Sequence, residues 1–555
     1  MCAKLMGILL TILSILLSVL EKCFSQQSLT ITIQQGTLLG TTGINLDNDP
    51  FLKFLGIPYA KPPLGSLRFK APVPPESWVG VKNATVDGNI SMQVDPHTLN
   101  VTGSEDCLYL NVFTQRLPGN GTKLRPVMVH FHAGAFSYGS GTQAMLKPEY
   151  LLTEDIVLVT VNYRLGIFGF LSLVNASLDV PGNAGLKDQV QALKWVQENI
   201  KNFNGDPSQV TIFGISAGGV SVQHLLLSAS AKGLFHRAIA SSGTVLNPWA
   251  WGRKNAVSLA QNLDPAVLTE AKALEVLMSA SGDEIFNASL RFPSIIEHTN
   301  IRKPFGPVIE TPNPTAFLTE DPVELWKSGK INDVPLIQGV CSNDGLILAY
   351  ENPKPVVDPL ENGIPWTLKR RGPKEVEKIT AALQEFYSKD GVIDDAGLYK
   401  LLADVMFVEG ALRSLKMHLN VTKHSVYFFV FDYHSHWTNY VKEYLDVENI
   451  TGIPHAIDGT FLFRNMLTIA PDPPAYTQND LRGIRTMVRL WTNFAITGKP
   501  HPLWEKVEDP DNLNYLHIDR HLKMKTRPFD KRMRLWEWIV ETVGGGLNFK
   551  ASELS

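Results

Sequence analysis

Short apolar runs fenced by polar or turn residues recur along the chain, at 126–131, 156–161, 210–213, 238–241, 334–339 and 426–431. They lack period-two alternation, so they read as strands buried on both faces, the kind found in parallel sheets covered by helices. Helix-like stretches alternate with them throughout, which predicts one large α/β unit around a mostly parallel twisted sheet with helices on both faces. A length of 555 residues would by itself suggest roughly three or four domains. No low-complexity linker, internal repeat or composition shift divides the chain, so the expectation is a single domain over 26–555.

One of these runs carries chemistry. The run 210–213 leads into Gly214-Ile215-Ser216-Ala217-Gly218, a G-x-S-x-G elbow, and then into the apolar stretch 220–227, which suits a buried helix. A serine at such a strand-to-helix turn needs small neighbours two residues to either side, because the turn is sharp and strained. The helix that begins there points its amide dipole at the serine, where negative charge would develop. Without this context the pattern is weak, and Ser216 would be a helix-capping turn residue. Between a buried strand and an apolar helix it reads as a nucleophile.

The first 25 residues change the picture of where the chain works. Lys4, the apolar run 6–20, and small residues at Cys23 and Ser25 make a secretory signal ending before Gln26. The run falls short of the ~20 apolar residues of a spanning helix, so cleavage is expected rather than anchoring. No other stretch is long and apolar enough to span a bilayer. Asn83, Asn89, Asn100, Asn120, Asn175, Asn287, Asn420 and Asn449 each open an N-x-S/T triplet and are candidate glycan sites in a secreted chain. Once Cys2 and Cys23 leave with the signal, Cys107 and Cys341 remain, and both are expected to be buried thiols. Composition is that of an ordinary globular protein, 44% hydrophobic and 19% charged, with a net charge of −3. That gives no electrostatic footprint for nucleic acid and no polybasic membrane patch. There is no metal-ligand cluster and no dinucleotide or phosphate-loop glycine pattern, so no cofactor is implied.

Four further segments, read together, carry a family resemblance. They are Phe-Leu-Gly-Ile-Pro-Tyr-Ala-Lys-Pro-Pro at 54–63 with Leu-Arg-Phe at 67–69, and Ser-Glu-Asp-Cys-Leu-Tyr-Leu-Asn-Val at 104–112. Val-Asn-Tyr-Arg-Leu-Gly at 161–166 and Pro-Gly-Asn-Ala-Gly-Leu-Lys-Asp-Gln at 181–189 complete the set. The chain resembles the type-B carboxylesterase and cholinesterase family, a branch of the α/β-hydrolase fold, from about residue 34 to about 540. In texture it is most similar to secreted insect-type carboxylesterases.

The resemblance implies a serine–acid–histidine order along the chain. The nucleophile falls on Ser216. The acid falls on Asp344, in Gly-Val-Cys-Ser-Asn-Asp-Gly at 339–345, where many relatives have glutamate and where the plain alternative is a turn residue. The base falls on His455 in Gly-Ile-Pro-His-Ala-Ile-Asp at 452–458, one of 14 histidines and the only one in such a frame. Asp458 is either a support for this site or part of a loop salt bridge. The oxyanion donors fall on the backbone N–H groups of Gly134, Ala135 and Ala217. His-Ala-Gly-Ala at 132–135 departs from the family's glycine-rich run, so its alanines need φ values that a side chain tolerates. Asp188, Gln189, Arg68, Phe69 and Ser242 match scaffold positions. Trp249, Trp251 and the segment 305–307 are candidates for an apolar acyl pocket, with core packing as the alternative.

Three departures bear on substrate. Relatives usually carry glutamate where this chain has Ile215, and juvenile-hormone esterases typically carry glutamine there. Cholinesterases place a choline-stacking tryptophan at the position of His97, and a quaternary ammonium needs such an aromatic face. The cysteine that relatives bridge to the counterpart of Cys107 is here Ser91, so the loop between them is expected to be held more loosely. The expected activity is hydrolysis of small, neutral, apolar esters through an acyl-enzyme. The alternatives are a hormone- or pheromone-selective esterase, or a binding or adhesion relative that keeps the shell without the chemistry. Oligomeric state is left open.

Overall fold

The structure, a computed structural model, describes residues 29–542 except 97, 120, 293–302, 352–359, 361–363, 365–367, 369–371, 465 and 467–474. The signal segment, His97 and the Asn120 sequon lie outside the described residues.

Eleven strands form the central sheet among these residues. In chain order they are β1 (Thr41–Ile44), β2 (Pro50–Pro58), β3 (Tyr109–Thr114), β4 (Arg125–Phe131), β5 (Val157–Val161), β6 (Gly205–Ile215), β7 (Arg237–Ser241), β8 (Leu336–Cys341), β9 (Val426–Phe431), β10 (Asn514–Ile518) and β11 (Lys523–Thr526). Across the sheet the order is β11-β10-β9-β8-β7-β6-β4-β5-β3-β2-β1. The seven strands from β10 to β5 run parallel, and antiparallel strands flank them at both edges. All six apolar runs lie in the parallel block, and β5, β8 and β9 are buried at every residue. The run at 334–339 begins as a strand only at Leu336, because Pro335 has no N–H to give a ladder. The Pro335 carbonyl instead receives the Ala238 N–H at 3.0 Å.

Helices cover both faces, as successive residues of β8 demonstrate. The Gln338 amide donates to the Ala411 carbonyl and to Ser414 Oγ, on a helix of residues Glu409–Leu419. Gly339, pointing the other way, is overlaid by Phe429, whose ring meets Trp491 of the helix Gln478–Thr497 at 5.3 Å. Two more helices, α1 (Ala184–Asn199) and α2 (Ala217–Leu227), are joined by a bond from the Gln189 amide to Ser221 Oγ. Asp188 holds Arg164 through two short bonds, both side chains being buried, and Arg68 grips Glu105 in the same forked way. Asp188, Gln189 and Arg68 are therefore placed as scaffold.

The loop expected to be loose is tied. Ser91 is buried, its hydroxyl takes the Leu165 N–H at 3.1 Å, and its carbonyl takes the Gln93 amide at 2.9 Å. The Ser91 hydroxyl also meets the Cys107 thiol, where relatives have a bridge; Cys107 and Cys341 are both free and buried. Polar contacts thus replace the covalent link, which is why the expectation of looseness fails. The seven described sequon asparagines are all exposed. No helix among the described residues is long and apolar enough to cross a membrane.

Candidate active site

Ser216 stands alone between the end of β6 and the start of α2 with φ 58° and ψ −123°, a backbone that side chains rarely adopt. Its N–H donates to the Ser241 carbonyl at 2.9 Å, and its carbonyl receives the Val220 N–H at 2.9 Å. The turn also depends on Gly218, where a Cβ would run into the Phe131 carbonyl at the end of β4. The packing of β4 against α2 thereby fixes the serine at the carboxyl end of the parallel block.

Asp344 follows β8 and is fully buried. Its Oδ1 lies 2.8 Å from Nδ1 of the buried His455. Its Oδ2 receives the Ser242 hydroxyl and the Cys341 N–H, both at 3.1 Å. The two loops are laced together: Asn343 N–H donates to the Ile453 carbonyl at 3.1 Å, and Ile453 N–H to Ser342 Oγ at 2.8 Å. Ser241 and Ser242, at the end of β7, bind the Ser216 backbone and the Asp344 carboxylate respectively, so three distant stretches of chain meet there. A neutral imidazole that gives its Nδ1–H to a carboxylate leaves Nε2 as an acceptor, which is the state a general base needs. The other side of the imidazole is closed by Phe407, at 4.4 Å between ring centroids.

After β4 the chain turns through Gly134 at φ 103°, Ala135 at φ 56° and Phe136 at φ 60°. Ala135 thus occupies the left-handed region, which a methyl tolerates at a cost. The Gly134 carbonyl closes the turn by receiving the N–H groups of Ser137 and Tyr138 at 2.9 and 3.0 Å. Among the described residues, the N–H groups of Gly134 and Ala135 give no bond to a backbone carbonyl. Ala217 opens α2, where first-turn N–H groups have no partner within the helix. His132 supports the loop from behind. Its ring stacks on Tyr163 at 4.3 Å, its Nδ1 lies 2.7 Å from the Ala133 carbonyl, and burial pushes its pKa down to about 4.

Among the described residues Asp458 forms no loop salt bridge. It is fully buried, receives the Ser241 hydroxyl, and has the Cys341 Sγ at 3.7 Å. Burial pushes its pKa up to about 6, and the neighbouring Asp344 charge adds to the rise. Ile215 is buried and packs over Gly459 beside Met466. Trp249 and Trp251 are both buried, with their indole N–H groups at 2.7 Å from the carbonyls of Met406 and Val245. Phe407 went unnoticed in the sequence. It reaches His455 from a one-turn π-helix, Asp404–Val408, an irregularity that no residue pattern announces.

The sequence matches the carboxylesterase family over residues 27–536. It is 30% identical to a carboxylic ester hydrolase of Bombus ignitus over 93% of this chain and 95% of that protein. It is 33% identical to a juvenile hormone esterase of Tribolium castaneum over 87% of this chain and 88% of that protein. The crystal structure of the juvenile hormone esterase from Manduca sexta, with OTFP covalently attached, superposes with a TM-score of 0.81 at 29% identity. That superposition covers 92% of this chain and 99% of that one.

Proposed function

The chain belongs to the carboxylesterase family and is an ester hydrolase, and on that footing we propose that it is a secreted enzyme acting on neutral apolar esters through an acyl-enzyme on Ser216. The observation that carries this reading is the 2.8 Å Asp344–His455 bond, seated on the same Ser241–Ser242 segment that holds the strained Ser216 backbone.

In this mechanism Ser216 Oγ attacks the ester carbonyl as His455 Nε2 takes its proton. Asp344 holds the imidazole in the required tautomer and stabilises the imidazolium without itself taking the proton. The carbonyl oxygen becomes an oxyanion, and the N–H groups of Gly134, Ala135 and Ala217 stabilise it. As the tetrahedral intermediate collapses and the ester C–O bond breaks, His455 delivers the proton to the departing oxygen; the alcohol leaves and the acyl group stays on Ser216 Oγ. Water, deprotonated by His455, repeats the sequence to release the acid and restore the hydroxyl.

Substrate class follows from what surrounds these groups. Ile215 offers no acidic side chain next to the nucleophile, and His97 stands in place of the tryptophan on which cholinesterases stack the quaternary ammonium. Export is supported by the signal-like segment 1–25 and by the exposed asparagines of the seven described sequons, which are proposed glycan sites. Two named relatives make juvenile-hormone esters a second candidate, opposed by Ile215 in place of glutamine. An organophosphate should inactivate the purified protein stoichiometrically and label Ser216. Absence of both labelling and aryl-ester turnover would rule out the mechanism, and an acyl-chain series with juvenile hormone included would rank the substrates.

A further inference from the structure

The loop that carries Asp344 and the loop that carries His455 touch at close range. Gly452 turns at φ 102°, and a Cβ there would lie 2.5 Å from that of Asn343. The Asn343 amide also donates to the Thr451 carbonyl at 3.0 Å. One contact between the loops runs through a side chain. The Ser342 hydroxyl receives the Ile453 N–H at 2.8 Å and donates its own proton to Asp432 Oδ1 at 2.6 Å. Asp432 follows β9 and is the fixed end of this series. Its N–H donates to the Ile518 carbonyl at 2.8 Å, at the end of β10, and Ser342 N–H donates to the Phe431 carbonyl at 2.9 Å. Asp432 Oδ2 lies 3.1 Å from Nε2 of His517 on β10, and its Oδ1 lies 3.5 Å from Nε2 of His434. A line of bonds thus runs from two sheet strands to the backbone two residues before His455.

A hydroxyl that donates to a carboxylate makes a short, charge-assisted bond and becomes a better acceptor on its other side. Burial alone would raise the Asp432 pKa, but the bonds from His434, His517 and Ser342 outweigh it and hold the carboxyl well below the usual carboxylate range. The acceptor is therefore charged at any pH where His455 serves as a base. We propose that Asp432 is a positioning residue for the base: by holding the Ser342 hydroxyl, it fixes where the His455 loop stands against Asp344. It acts only through Ser342 and the backbone at Ile453. A displacement of about 1 Å in a reacting group can cost about 100-fold in rate, so a bond this far from the ester matters. Ser342, Asn343, Asp432 and Gly452 line a cleft of about 610 Å³, which leaves room for a methyl at position 342. The proposal rests on the esterase mechanism given above and adds a positioning residue to it.

The test measures kcat and KM on an aryl ester for wild type, Ser342→Ala, Ser342→Thr, Asp432→Ala and the Ser342→Ala/Asp432→Ala double variant. Active sites are counted by organophosphate labelling to completion, so that kcat refers to folded protein. Ser342→Ala and Asp432→Ala should each lose about 10- to 100-fold in kcat, with KM within about threefold of wild type. Ser342→Thr keeps the hydroxyl and should stay within about threefold in both constants. The double variant should fall no more than about threefold below the poorer single variant, because both changes cut the same line of bonds. Wild-type kcat in Ser342→Ala overturns the proposal, and so does a double variant whose loss is the product of the two single losses. If Asp432→Ala does not fold, Asp432→Asn takes its place. The difference between alanine and threonine at position 342 should then shrink by about threefold or more once the charge is gone, and an unchanged difference overturns the role of Asp432. Wild type that neither turns over the ester nor takes the label fails at Ser216 instead, and takes the positioning role down with it.

Discussion

Ser216 holds a backbone conformation that costs on the order of 1–3 kcal/mol, and the surrounding bonds keep it there whatever its side chain. Ser216→Ala should therefore fold normally and lose roughly 10⁴- to 10⁶-fold in kcat. His455→Ala should do the same, and the double variant should be little worse, because the two act as a unit. Asp344→Asn keeps the buried volume but presents an amide to His455 Nδ1, favouring the wrong tautomer and costing on the order of 10⁴-fold. Asp344→Glu should be milder, since it restores a carboxylate; steady-state kinetics on an aryl ester measure all five. The charge around the serine gives a second expectation. Acetylcholine should show a lower kcat/KM than an uncharged acetate ester, and the reverse order would refute the reading of Ile215. Asp458 supplies a pH-dependent expectation. Its folded pKa, about 6, lies above the ordinary aspartate value of 3.8. The folded state thus binds the extra proton, so this contribution is present at low pH and is lost as pH rises from about 4 to about 6. The whole effect is on the order of 3 kcal/mol. Asp458→Asn should gain in melting temperature relative to wild type on going from pH 4 to pH 7, and a constant difference would contradict the assignment.

The elbow is a meeting of β4, β6 and α2 that depends on one missing side chain. Gly218→Ala would push a methyl into the Phe131 carbonyl, so α2 must shift and carry Ser216 with it. Activity should fall at least tenfold, with a loss of thermal stability of about 1–3 kcal/mol, the range for overpacking a close-packed interior. Much of this architecture was legible beforehand. Strands buried on both faces are written as unbroken apolar runs, so six of the seven parallel strands could be read directly, with β8 starting two residues late after Pro335; β10 was missed because its residues are only partly buried and no apolar run marks it. The flanking antiparallel strands β2 and β3 were seen as motif blocks rather than as strands, because Gly56 and Pro58 interrupt one and polar residues mark the other. At the site, the residues on turns with strong local chemistry stood out. Phe407 and the Ser241–Asp458 contact did not, since each arises from long-range packing that leaves no local periodicity.

Taken whole, the molecule is an α/β-hydrolase fold in which the proposed reacting groups, Ser216, Asp344 and His455, come from three stretches each more than 100 residues from the next and are gathered near the carboxyl ends of the parallel strands. Export should show directly: N-terminal sequencing of the secreted protein should begin near Gln26, and enzymatic removal of N-glycans should lower its mass. A mature chain that starts at Met1 would contradict this. The contact between the Ser91 hydroxyl and the Cys107 thiol has a consequence for how the molecule is made. Among the described residues both cysteines are free and buried, so folding of residues 26–555 needs no disulfide. Produced in a reducing cytoplasm without residues 1–25, the enzyme should reach the same specific activity as the full-length chain produced by a secreting cell. Its melting temperature should not move when dithiothreitol is added.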